Sequence, residues 1–228
     1  NQLTKRQKKE IEELNQAENH FFSSMSHEIR TPINTIIGLN EIILREDISA
    51  DVAENARNIQ GASKMLLTLI NDTLDLSKIK SGKMEIVNVS YETGALFSEI
   101  VNMIWIKARE KGLEFKLNVD SSIPSMLCGD EVRIKQILIN LLNNAVKYTS
   151  EGSVTLSVRC ERRSLNQVRV WYSVEDTGMG MKKENIPYIF NAFRRVDEEK
   201  NRHIEGTGLG LSIVQQLVEL MGGEISVN

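Results

Sequence analysis

The sequence predicts two domains of different class. The first is an all-α helical hairpin, doubled into a four-helix bundle in a dimer; the second is an α/β sandwich. Three observations carry this. Apolar residues recur at three-four spacing from residue 21 to residue 76, with one polar break at 45–51. From Met84 onward, strand-like alternation and helical spacing follow one another. Two glycine-rich strings near the end, 176–180 and 206–211, interrupt that second pattern, one after a strand and one before a helix.

A chain of 228 residues is long enough for one or two domains at roughly 150 residues each. The net charge of −3 gives no basic field, so nucleic acid is not expected as a partner. Cys128 and Cys160 stand apart without metal spacing and read as small buried hydrophobes in a reducing compartment. No apolar run approaches the ~18 residues of a membrane span. The chain opens without Met on a charged run and stops at 223–228, which reads as the beginning of a strand. Both ends are therefore expected to be cuts, and the chain a cytoplasmic portion of a larger protein, with any membrane contact made only by segments absent from it.

Residues 1–20 place Lys5, Arg6, Lys8 and Lys9 before Glu10, Glu12, Glu13 and Glu18, with Ile11, Leu14, Phe21 and Met25 in step. They read as a short coiled coil feeding the next helix. That helix has an apolar seam at Phe22, Met25, Ile29 and Ile36, which puts His27 on the wet side and Thr31 one turn further on the same face, with Glu28 beside both. An exposed histidine is ordinarily only solvated. Pro32, which removes a backbone donor and bends a helix, points instead to a site just past His27. The density of Ile33, Ile36, Ile37, Leu39, Ile43 and Leu44 requires more than one partner helix. The second helix has Val52, Ile59, Ala62, Leu66, Leu69, Ile70 and Leu76 on its seam and ends at Ser81-Gly82. Two such hairpins make a four-helix bundle. The expected division is thus a linker over 1–20, a dimerisation and acceptor domain over 21–82, and an α/β domain over 83–228.

In the second domain a short strand is expected at 84–87, a helix at 91–111 and a strand at 113–119, with Leu113, Phe115, Leu117 and Val119 on one face. A helix at 130–148 follows, then a hairpin of strands at 153–161 and 167–175. The helix has a buried stripe of Ile134, Ile137, Leu138, Leu141, Leu142 and Ala145, and a second stripe of Asn140, Asn144 and Lys147, extended by Arg133 and Gln136. Asparagine is a poor interior helix residue, so two beside a lysine read as a ligand face: an amide oxygen for Mg2+ and an ammonium for phosphate. A plain polar surface stripe is an equal reading of that spacing alone.

The string Asp176-Thr177-Gly178-Met179-Gly180 places a carboxylate at a strand end, able to accept from an adenine amine, with glycines that let backbone approach a ligand. Gly206-Thr207-Gly208-Leu209-Gly210-Leu211 opens a helix whose N-terminal amides suit an anion. It lacks the βαβ context of a dinucleotide fold and the lysine of a Walker loop. Between the two lies a polar stretch from Arg194 to Glu205, introduced by Phe190 and Phe193, which reads as a lid with Arg195 in reach of phosphate.

The string Ser26-His27-Glu28-Ile29-Arg30-Thr31-Pro32 resembles the phosphoacceptor box of sensor histidine kinases. Residues 140–148, 176–180, 189–193 and 206–211 resemble, in the same order, the N, first-glycine, F and second-glycine boxes of the ATPase domain of that family. The resemblance implies a homodimeric kinase that uses ATP and Mg2+ to phosphorylate His27, passes the phosphoryl group to an aspartate of a receiver domain, and has a phosphatase activity that hydrolyses it from that receiver. It implies Glu28 as proton acceptor, Thr31 as an aid to water attack, Asn144 as the Mg2+ ligand with Asn140 beside it, and Asp176 as the adenine reader. Lys147, Tyr148 and Arg195 would line the phosphates, and Gly178, Gly180, Gly206, Thr207, Gly208, Leu209 and Gly210 would form the loops around the nucleotide. The chain departs from the family where the final strands of the sandwich are cut short. Two other readings are an ATP-driven clamp of the mismatch-repair or heat-shock type, disfavoured by Ile139 where those carry a glutamate, and a dimeric ATP-binding scaffold without kinase activity.

Overall fold

The structure, a computed structural model, describes residues 25–194 and 206–228. The expected linker over 1–20, together with Phe22 and Arg195, lies outside the described residues. The chain divides into two compact units between Glu85 and Ile86.

The first unit is a helical hairpin. Helix α1 runs over 25–43, straight through Pro32, and α2 spans Ala50–Lys80. Ser49 caps α2 by accepting from the Val52 amide, and Asp51 sits in the first turn, where the helix dipole favours a negative charge. At the far end Lys78 and Lys80 complement the opposite pole, and the chain leaves through Gly82 in the left-handed region.

The buried seam differs from the expected one. Met25 and Ile36 are exposed, at 36% and 44%. The α1 residues turned inward are Ser26, Ile33 and Asn40, with Ile29 and Ile37 half-buried between them. On α2 they are Ala56, Ser63 and Leu76, while Val52, Ile59, Leu66 and Leu69 lie exposed. The physical reason is close approach. Small residues let the two backbones come near, and the Asn40 side chain donates from Nδ2 to the Ala56 carbonyl, a buried bond that a larger apolar pair would not permit.

The second unit is a two-layer α/β structure. Strand β1 (Val89–Glu92) pairs antiparallel with β3 (Met126–Gly129). A separate sheet has the order β2-β4-β5: β2 (Glu114–Val119) runs parallel to β4 (Ser153–Arg162), which runs antiparallel to β5 (Val168–Asp176). Helices α3 (Thr93–Glu110), α4 (Glu131–Tyr148) and α5 (Gly210–Leu220) complete the unit, with a short 3₁₀ turn over Lys183–Tyr188. Leu156, Val154 and Val158 of β4 are almost fully buried, against Leu96, Ile100 and Ile104 of α3 and Leu138 and Leu142 of α4 in one core. The intervening residues are exposed on β5, as at Trp171, and on β4 half-buried up to Ser157 and exposed at Arg159, as a sheet with one covered face allows.

Two expected strands are not formed. Residues 84–87 are irregular: Met84 is buried, but the Val87 amide donates to the Asp130 carboxylate at 2.9 Å instead of to a ladder. Residues 223–228 also make no strand. Among the described residues no helix is long and apolar enough to cross a membrane.

Tyr91 of β1 and Tyr172 of β5 are hydrogen-bonded to each other and join the two sheets. Burial raises both phenols above their ordinary value of 10.0, Tyr172 strongly. Because the folded-state values lie above the unfolded ones, this contribution to stability is complete below pH 10 and is lost as pH rises through the folded values. Urea midpoints measured from pH 8 to 11 should fall above pH ~10, and more shallowly in Tyr172→Phe than in wild type.

Candidate functional site

The nucleotide-type site is built on α4. Its amphipathic pattern buries Ile137, Leu138, Leu142, Ala145 and Val146, which fixes the rotation of the helix. Asp130 starts it, accepting from the Arg133 amide at 3.0 Å. That rotation leaves Asn140, Asn144 and Lys147 half-buried along one stripe. Asn143 belongs elsewhere: its Oδ1 accepts from Lys107 of α3 at 2.7 Å.

The second glycine loop lies against this stripe. A Cβ on Gly210 would stand 3.9 Å from Asn140 Oδ1, and one on Gly206 would fall on Lys147 Nζ. Asn140, Lys147 and the start of α5 are therefore neighbours in space as well as in the sequence argument. Among the described residues no side chain caps the first turn of α5, and uncapped amides at a helix start are donors suited to an anion. Within the loop the Leu209 amide donates to Thr207 Oγ1 at 3.2 Å. Gly208 has φ +72°, and its carbonyl accepts from the Phe193 amide at 3.0 Å. Phe193 itself has φ +62°, the one non-glycine residue in that region among those described.

The first glycine loop lies at the C-terminal end of the same helix. Asp176, at the end of β5, accepts at Oδ1 from the Gly178 amide at 2.9 Å and from Thr149 Oγ1 at 3.5 Å. The Met179 amide reaches the Tyr148 carbonyl at 3.4 Å. Gly178 has no room for a side chain: a Cβ would stand 2.5 Å from the Tyr148 oxygen and 2.7 Å from Asp176 Oδ1. Thr177 ties the loop to the sheet by accepting from the Ser153 amide at 3.0 Å. Gly180 turns through φ +65° in open space. Lys147 Nζ lies 4.9 Å from the centre of the Tyr148 ring, an electrostatic contact that directs the ammonium along the stripe.

In the helical unit His27, Glu28 and Thr31 are exposed on α1. The Thr31 hydroxyl donates to the His27 carbonyl at 3.1 Å and Thr35 repeats the bond to the Thr31 carbonyl at 3.0 Å. Both are i→i−4 back-bonds by which a threonine hydroxyl is satisfied inside a helix, and the carbonyl that Pro32 leaves without an amide donor is that of Glu28. Arg30 reaches across to Asn71 of α2 at 2.9 Å.

Residues 17–82 match the family model of the histidine kinase A phosphoacceptor domain. Residues 129–228 match that of the histidine kinase, DNA gyrase B and HSP90-like ATPases. The chain belongs to the sensor histidine kinases. It is 35% identical over 96% of its length to the signal transduction histidine-protein kinase BarA of Escherichia coli, and 37% identical over 95% to the sensory/regulatory protein RpfC of Xanthomonas campestris. It spans 24% and 30% of those two relatives. A crystal structure of full-length ShkA in complex with AMPPNP is 30% identical, with a TM-score of 0.71, and covers 89% of this chain and 41% of its own.

The glycine arrangement in this kinase core is directly testable. Gly178→Ala should destabilise the ATPase unit by about 2–3 kcal/mol through overlap with rigid backbone. Gly180→Ala, which meets only the cost of a positive φ, should cost about 1 kcal/mol. Urea unfolding of both variants checks the order.

Proposed function

We propose that the chain is the catalytic core of a histidine kinase that transfers the γ-phosphoryl group of Mg·ATP to His27 and then to an aspartate of a receiver domain. The observation that carries this reading is the meeting of Asn140, Lys147 and the two glycine loops at one face of α4. ATP would bind with its adenine amine on Asp176 and its phosphates between Lys147 and the loop of Gly206, Thr207, Gly208, Leu209 and Gly210. Gly178 and Gly180 would wall the base side, and Tyr148 and Arg195 would line the phosphates with Lys147. The amide oxygen of Asn144, with Asn140 next to it, is a hard donor suited to Mg2+, which supplies charge neutralisation on the phosphates.

At the acceptor, an imidazole nitrogen of His27 attacks the γ-phosphorus, the bond from phosphorus to the β,γ-bridging oxygen breaks with ADP as the leaving group, and Glu28 takes the ring proton released as the N–P bond forms. The exposure of both side chains supports this, since the γ-phosphate must reach them. Thr31 would position water for the reverse, phosphatase reaction on the receiver. The division of labour follows the expected segments: 1–20 as linker, 21–82 as dimerisation and acceptor domain, 83–228 as ATPase.

Homodimerisation is supported by the apolar residues that a single hairpin leaves uncovered: Ile36, Leu39 and Ile43 on α1, and Val52, Ile59, Leu66 and Leu69 on α2. They lie on the two helices whose inward seam is narrow, and a second hairpin would bury them in a four-helix bundle.

Two tests follow from this reading. With ATP labelled on the γ-phosphate, wild type should acquire acid-labile, alkali-stable label. His27→Gln should acquire none while still binding nucleotide, and Asn144→Asp should lose label through weakened Mg·ATP use. Thr31→Ala should label normally and dephosphorylate the receiver slowly. Nucleotide binding without label in wild type would favour the scaffold reading. Separately, Leu66→Asp should convert the dimer to monomer in sedimentation experiments without unfolding the ATPase unit.

A further inference from the structure

The last turn of α4 has a partner that no motif assigns. Lys111, the C-cap residue of α3, places its Nζ 2.8 Å from the Val146 carbonyl, 2.9 Å from the Lys147 carbonyl and 3.3 Å from the Thr149 carbonyl. An ammonium has three donors, and each has an acceptor here. The cation also sits at the negative pole of the helix dipole. With the Thr149 amide on Ala145 and the Met179 amide on Tyr148, every one of the four carbonyls that a helix end leaves unmatched is taken.

Thr149 is the next link. It is fully buried, and its Oγ1 donates to Asp176 Oδ1, the same oxygen that holds the Gly178 amide. Lys111 thus fixes the backbone of the residue whose hydroxyl orients the carboxylate. Oδ2 of Asp176 has no partner among the described residues, so the ligand-facing oxygen is aimed by what is done to the other one.

We infer that Lys111 is a positioning residue for the nucleotide base. By holding the end of α4 and the Thr149 carbonyl, it sets the direction of the Asp176 carboxylate and so the preference for an amino-bearing purine over an oxo-bearing one. The inference rests on the reading of Asp176 as the adenine acceptor. A carboxylate accepts from the amine of adenine and meets only a repelling oxygen at the corresponding place in guanine, so the aim of this group decides selectivity. The phosphates are common to both nucleotides and would be met by the Lys147 side chain and the second glycine loop, whereas Lys111 touches only backbone carbonyls.

The test is binding of Mg·ATP and Mg·GTP to the full chain, by calorimetry, in wild type, Lys111→Met and Lys111→Arg. Lys111→Met keeps the length of the stem and removes the donors. It should weaken ATP about tenfold and leave GTP within about twofold, so that the ATP preference collapses. Lys111→Arg, which restores charged donors, should recover most of that preference. In labelling kinetics the change should sit in KM for ATP with kcat unaltered, as loss of uniform binding requires. Equal weakening of both nucleotides, or none, overturns the inference.

Thr149→Val and Thr149→Ser form a second pair, which decides the matter should Lys111→Met fail to fold. Valine removes the hydroxyl at constant volume and should reproduce the collapse; serine should not. Wild type that binds ATP no more tightly than GTP would refute the role of Asp176 itself. Wild type with a clear preference that both Lys111→Met and Thr149→Val retain would refute only the role of Lys111.

Discussion

The end of α4 is the constraint on which the nucleotide half of the molecule depends. A helix terminus buried without partners for its last carbonyls is costly, because each unmatched group forfeits its hydration. Here the four carbonyls from Ala145 to Tyr148 are matched by Thr149, Lys111 and Met179. Those three partners come from the cap itself, from the end of α3 and from the first glycine loop. The same bonds that complete the helix therefore fix the loop to it. Gly178 follows as a consequence: its backbone runs so near the Tyr148 carbonyl that any side chain would collide. Because α4 is packed on β4 and β5, the Asp176 carboxylate and the Lys147 side chain are both set by the last turn of one element, where a shift of either would require the core to move.

The helical unit solves the opposite problem. In the proposed role a phosphoacceptor must be wet and accessible, and His27 is exposed, so it is not held by burial. It is held by the helix, and the helix is held by contacts on its far side. Those contacts are small or polar rather than bulky: Ser26 and Asn40 on α1, Ala56 and Ser63 on α2. The Asn40 bond to the Ala56 carbonyl is directional and exists in one register only, which suits a hairpin whose remaining faces are so apolar that packing alone would tolerate several alignments.

Much of the site could be read in the sequence because its chemistry uses unusual residues at fixed spacing. Asparagines inside a helix, alternating glycines before one, and a carboxylate at a strand end are all costly unless used. The structure brings Asn140 and Lys147 to the second glycine loop as that spacing suggested. The inward seam of the hairpin was not legible for the converse reason. Hydrophobic periodicity marks the stripe with the most apolar surface, and a single hairpin leaves that stripe exposed, while close backbone approach selects serine, asparagine and alanine. The expected strand at 84–87 failed because a side chain, Asp130, outcompeted a ladder for the Val87 amide, and no local pattern encodes a carboxylate forty residues away. Lys111 was invisible as well: one lysine among many, after a helix, is marked only by the three carbonyls that converge on it.

Phe193 ties these threads together. A bulky residue at positive φ costs on the order of 1–3 kcal/mol and persists only where its surroundings over-determine it. Its amide is bound to the Gly208 carbonyl, and Gly208 must itself be glycine, since a Cβ there would stand 3.2 Å from the Phe193 carbonyl carbon. The strain is thus located where the chain before residue 195 meets the chain after residue 205. That junction joins the F-box segment to the second glycine loop directly, so that the start of α5 cannot move without moving Phe193. The cost of the unfavourable backbone is offset by the bond it permits. In return the amides at the head of α5 are held against Asn140 and Lys147, which is the geometry that an anion between them would need.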